Sequence, residues 1–173
     1  MSGMKGNQGA IAETIENNVR STIIKEQLTD PAYYEKMSAL LDEIIAARKA
    51  KAIDYEEYLK RIAELAKKVT AGLEEDTHEL LKRSPALRAV YNSLKKDAAQ
   101  FHAAAQAAPG DTGDPVLNLA IRVDRAVKDS RPDNWRGHGP KENTIKAALL
   151  SALSGNVDAV VQIFPIIVAQ REY

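Results

Sequence analysis

The chain has 173 residues with no cysteine, and its 24 basic and 24 acidic residues cancel to a net charge of zero. That length accommodates one domain or two small ones with a sizeable core. The missing cysteines exclude a disulfide framework, a thiolate nucleophile and thiolate zinc sites. Balanced charge leaves no whole-chain field to gather nucleic acid or an anionic membrane.

The periodicity is helical almost throughout. Ile11, Ile15, Val19 and Ile23 recur every four residues and predict a first helix over roughly 9–27, behind a flexible lead of about residues 1–10. Asp30-Pro31 reads as an N-cap followed by proline at the first helical position, where its missing N–H costs nothing. Behind it Tyr33, Met37, Leu40, Leu41, Ile44 and Ile45 form an apolar face, closed by the basic segment 48–51. Asp54 with Glu57 resembles a capping box opening a third helix, with a stripe of Tyr58, Leu59, Ile62, Leu65 and Val69.

Residues 70–76 read as a connection between two sub-blocks, 11–70 and 77–173, of one helical domain. A short helix fits 77–83. Ser84-Pro85 opens another with Leu87, Val90, Tyr91 and Leu94 inward, running into the alanine-rich stretch 98–108. Pro109–Gly113 ends it, and Asp114-Pro115 starts a helix to about Lys128. Residues 130–140 hold four Gly or Pro and read as a loop. Ile145, Ala148, Leu149 and Leu153 mark the next helix, with Gly155 at its C-cap. The last carries Val157, Val160, Val161, Phe164, Ile167 and Val168, and Pro165 should kink or restart it. No segment alternates as a strand does. The expected class is all-α, an irregular bundle of about six to eight helices.

Reaction chemistry is sparse. The chain has no Gly-x-x-x-x-Gly-Lys-Ser/Thr loop for nucleotide phosphates. It also lacks the Glu-x-Lys or Asp-x-Lys triplet with which restriction-type nucleases hold a metal and its water. His78, His102 and His138 are scattered, without zinc-ligand spacing. The expectation is no catalytic residue, no metal ligand and no cofactor site within these residues.

Two features remain for binding. Lys82, Arg83, Arg88, Lys95 and Lys96 lie in a window with no acid between Glu79 and Asp97, and could meet phosphates of duplex DNA. A solvated helix face balanced by the acidic 54–81 region is the alternative, and aromatics at 5 % supply few stacking platforms. Trp135, the only tryptophan, sits beside Arg136 in a glycine-flanked loop, and these types are enriched at interface hot spots. Equally, Trp135 could plug the top of the core. The closing Arg171-Glu172-Tyr173 reads as a frayed or a docked tail.

Several segments together resemble the C-terminal helical region of type I restriction enzyme R subunits. They are Ile15-Glu-Asn-Asn-Val-Arg20, Tyr33-Tyr-Glu-Lys-Met-Ser38 running into Leu40–Ile45 and Arg48-Lys49, the Ile53–Leu59 block, Arg88-Ala-Val-Tyr91, Trp135-Arg-Gly137 and Arg171-Glu-Tyr173. Each is weak alone, but six in order from about Ile11 to the last residue are specific. The resemblance implies a fragment of an ATP-dependent motor and nuclease subunit. The nuclease and motor domains, with their ATP and Mg, would lie upstream. The helical region would dock that subunit onto the methyltransferase and specificity subunits, with Trp135 and Arg136 as candidate contacts. Contact with duplex DNA through Lys82, Arg83, Arg88, Lys95 and Lys96 is the alternative role. The implied setting is cytoplasmic with no membrane partner, which agrees with an N-terminal stretch lacking the apolar run of a signal peptide and with Ile163–Ala169, the longest near-continuous apolar run, being too short for a bilayer. Pro165 and the alanine-rich 98–113 stretch depart from the family pattern.

Overall fold

The computed structural model describes residues 2–173, with side chains from Gly6 onward. Among the described residues it is all-α, with nine helices and no strand. They are α1 (Ser2–Glu26), α2 (Pro31–Lys49), α3 (Tyr55–Ala71), α4 (Glu79–Arg83), α5 (Pro85–Lys96), α6 (Ala98–Ala107), α7 (Pro115–Ser130), α8 (Gly139–Ala152) and α9 (Val157–Ala169). None is long and apolar enough to cross a membrane.

The helix starts follow from local chemistry. The Asp54 carboxylate accepts the Glu57 N–H at 2.8 Å, and Ser84 Oγ accepts that of Leu87 at 3.1 Å. Asp114 Oδ1 takes the N–H groups of Val116 and Leu117, and Asn156 Oδ1 that of Ala159. Each side chain satisfies a donor that the first turn leaves without a helical acceptor. Gly155, at φ 77°, donates to the Leu150 carbonyl and ends α8 in the left-handed conformation that glycine adopts without strain.

Three boundaries differ from the sequence expectation. The first helix begins at Ser2, so the expected lead is helical from residue 2 onward, and Met1 lies outside the described residues. Its inward row is Ala12, Glu16, Val19 and Ile23, while Ile11 is exposed. A strict four-residue spacing advances about 40° beyond a full turn at each step, so such a row winds off one face. The expected continuous helix across 85–108 breaks at Asp97, whose φ of −112° lies outside the helical region. Beyond the break, α6 packs Phe101, Ala104 and Ala105 into the core beside α7. Pro165, by contrast, lies inside one uninterrupted helix.

The chain divides into two compact units. Unit 1 comprises residues up to Gln27 with Tyr33–Thr77, and unit 2 comprises Leu28–Ala32 with His78–Tyr173. Unit 1 is built from α1, α2 and α3 around Met37, Leu41, Tyr58, Ile62 and Leu65. Unit 2 centres on α7, which packs against α5, α6 and α8, with α9 lying against α5 and α8. Its α7 contributes Leu117, Leu119, Ala120, Val123 and Val127 to the core.

Candidate functional site

The most connected polar cluster in unit 2 joins the 131–138 loop to the last residues of the chain. Trp135 is 2 % exposed and belongs to the core, where it packs 6.1 Å from Phe164 between ring centroids. Its indole N–H donates to the Tyr173 carbonyl at 3.4 Å. Arg136 lies over the same indole, 4.5 Å from its centroid, and donates to three carbonyls: Val168 at 2.9 Å, Tyr173 at 3.0 Å, and Gln170. Trp135 therefore plugs the core, and Arg136 spends its donors on the tail. The expectation of Trp135 as an exposed contact is corrected, since an indole so enclosed offers no partner its face, whereas Arg136 remains exposed.

The tail itself is docked. Arg131 donates to the Glu172 carbonyl at 2.6 Å. The Glu172 carboxylate accepts from Ser84 Oγ at 2.8 Å and from the Ala86 N–H at 2.9 Å, which places a negative charge at the start of α5. Gln170 donates to the Thr29 and Ile166 carbonyls. The Tyr173 hydroxyl donates to Asp124, a carboxylate that Lys128 also meets at 2.9 Å. Burial, and then the hydrogen bond to Asp124, pushes the Tyr173 phenol well above its ordinary range. An open hollow of about 500 Å³ remains beside this cluster, bounded by Arg131–Arg136 and Tyr173.

Unit 1 has its own network. Glu16, 6 % exposed, receives Arg48 through Nε at 2.8 Å and Nη2 at 3.2 Å. The guanidinium lies 5.6 Å from the Tyr58 ring centroid, and the Tyr58 hydroxyl donates to the Ala12 carbonyl at 3.1 Å. The hydrogen bond with Glu16 raises the Arg48 pKa, while burial raises that of Tyr58. A second hollow, of about 460 Å³, lies over these residues between α1 and α2.

The five basic candidates lie on α4 and α5, and three of them engage neighbours. Lys82 pairs with Glu79 at 2.9 Å, which lowers the Glu79 pKa. Arg88 is half-buried and turns back to the Leu81 carbonyl at 2.9 Å, satisfying the end of α4. Its Nε is enclosed with no acceptor among the described residues. Lys95 lies 5.6 Å from the Tyr91 ring centroid. Lys95 and Lys96 close α5, about two turns beyond Arg88, and Arg83 and Lys96 are exposed. The histidines are apart: His78 caps α4 through Nδ1, His138 precedes α8, and His102 is exposed. No three His, Cys, Asp or Glu side chains gather to hold a metal among the described residues.

Sequence reasoning missed Glu16, Asp124 and Gln170, and marked Glu172 only as part of the closing tail. For two of them a signal was present. Glu16 interrupts the row Ala12–Val19–Ile23, and Asp124 sits on the inward face of Leu117, Ala120 and Val127. An acid on an apolar face implies a buried partner. Compared with protein-family models, with curated proteins and with solved structures, the chain matches none.

Proposed function

We propose that this chain is a non-catalytic helical docking module of the kind that closes type I restriction enzyme R subunits. In that role it attaches the ATP-dependent motor and nuclease subunit to the methyltransferase–specificity core. The observation that supports this reading is where the motif residues lie. The Trp135-Arg136-Gly137 loop and the Arg171-Glu172-Tyr173 tail, far apart in sequence, meet in one hydrogen-bonded cluster. The Ile15–Arg20 and Arg48-Lys49 blocks meet through Glu16 and Arg48, and Arg48 in turn covers Tyr58 of the Ile53–Leu59 block. Residues that carry the resemblance are thus residues that tie helices together within each unit, as a shared fold would require.

Because Trp135 is buried, a docking surface here would be drawn from other residues, among which Arg136 is still exposed. The DNA-contacting role draws less support, since Lys82, Arg88 and Lys95 each engage a neighbour within unit 2. The test is a pull-down of the chain with a purified methyltransferase–specificity complex, with and without duplex DNA. Capture without DNA is expected. Capture only with DNA, lost steeply with added salt, would favour the duplex-contacting role, and no capture in either arm would overturn both.

A further inference from the structure

Helix α9 is apolar on two sides. Its inner side buries Ala159, Ile163, Ile166 and Ile167 in the core of unit 2. Its outer side presents Val157 and Val161, 63 % and 68 % exposed, with Pro165 exposed beside them and Phe164 and Val168 partly covered. The order 157, 161, 164, 168 follows the alternating four–three spacing of a seam between two helices. Pro165 has no N–H, so the Val161 carbonyl on this face also lacks its i+4 donor.

The two edges of the stripe carry opposite charge. At about 100° per residue, Phe164 lies to one side of Val161 and Gln162 to the other. Lys146, from α8, sits 4.6 Å from the Phe164 ring centroid. Asp97, at the end of α5, accepts from Gln162 at 2.6 Å, and Asp158 is exposed on that same side. Lys146 and Asp97 therefore stand at nearly the same height on opposite edges. A two-fold axis running along α9 brings the basic edge of one molecule onto the acidic edge of the next. An axis across α9 would set like against like.

We infer that the outer face of α9 is a self-association surface, on which a second copy of this chain packs with its α9 parallel to the first and Lys146 facing the partner copy's acidic edge. The interface is isologous, as closed dimers require. A single helix face is smaller than the ~800 Å² per partner of standard interfaces, so association is weak and concentration-dependent.

Sedimentation equilibrium of the full chain over a wide concentration range tests this, and the expected result is a reversible rise in mass from one chain toward two. Val161→Asp, at an exposed position, should weaken self-association by about tenfold or more, with the helical signal and melting temperature unchanged. Lys146→Glu and Asp97→Lys should each weaken it alone, because each homodimer then pairs like charges. Mixed in equal amounts they should associate again, since every edge contact in the mixed dimer joins opposite charges. A chain that stays monomeric at all concentrations would overturn the inference. So would a dimer that ignores Val161→Asp, or charge variants that fail to recover on mixing while remaining folded. The docking role proposed above stands or falls separately, on the pull-down.

Discussion

The two units bury their polar groups by different means. In unit 1, eleven buried apolar residues among those described form the core, and the charged pair in it, Glu16 with Arg48, joins two long helices directly. In unit 2, twenty-five buried apolar residues form the core, and one polar cluster ties a loop to the tail. Unit 1 is a periodic bundle whose stripes can be read along the chain. Unit 2 is closed by irregular backbone whose carbonyls need donors from outside any helix, and Arg136 supplies three of them. In unit 1 the buried ion pair thus lies between helix faces, whereas in unit 2 a loop and the tail are tied into a core built mostly from helices.

Perturbing each unit in turn sharpens this contrast, and Trp135 provides a local probe as the only tryptophan. The largest effect is expected for Trp135→Ala. It removes a fully buried indole together with the stacking surface for Arg136, and should cost about 3–5 kcal/mol of unit 2 stability in a calorimetric melt. A loss under 1 kcal/mol would mean that the loop is an accessory to the core rather than part of it.

Next is Arg48→Met, which leaves the Glu16 carboxylate nearly buried without its counter-charge. Breaking such a pair costs about 3–5 kcal/mol when fully buried; with Arg48 one-fifth exposed, about 2–3 kcal/mol is expected. The loss should appear in the helical signal in urea while the Trp135 fluorescence midpoint stays in place. If the fluorescence midpoint moved equally, the units would unfold as one and the contrast would fail. Replacing both partners, Glu16→Leu with Arg48→Met, should recover much of the loss.

A smaller effect, about 1 kcal/mol, is expected for Glu172→Ala, which removes the acceptor from Ser84 and from the Ala86 N–H at the start of α5. Here the fluorescence midpoint should shift, because the tail belongs to unit 2.

The gentlest test is alkaline pH. Burial, and then the hydrogen bond to Asp114, pushes the Tyr91 phenol up to about 12. An unfolded phenol ionises near 10. The folded chain holds the proton longer, so the contribution is whole below about pH 10 and is lost as pH rises toward 12. Tyr91→Phe should make the fall in stability over that window shallower, read as fluorescence midpoints at successive pH values. An unchanged slope would mean that Tyr91 ionises as easily folded as unfolded.

Much of the helix map was legible because its causes are local. Asp54, Ser84 and Asp114 sit next to the donors they cap, and Gly155 ends α8 through its own backbone. Alternation of apolar and polar residues at helical spacing likewise placed Tyr58, Ile62, Leu65, Leu94 and Leu149 inside. Where periodicity was ambiguous, reading along the chain was not enough. Val157 and Val161 share α9 with Ile163 and Ile167, yet only the second pair faces the core. An all-round apolar helix contains no record of which side its neighbours will cover.

The candidate site divides in the same way. Sequence alone marked Trp135, Arg136 and the Arg171–Tyr173 tail as unusual, but left open whether the indole was a surface anchor or a plug. Only the tertiary structure decided that, because it depends on which carbonyls end near residue 136. Arg136 reaches across more than thirty positions of chain to Val168 and Tyr173, and Glu172 reaches back across more than eighty to Ser84 and Ala86. Caps and stripes are set by residues within a turn or two of one another, so composition and spacing determined them. The fate of a long cationic side chain is set by whatever acceptors the folded chain brings within 3 Å, and that is known only once the helices have packed.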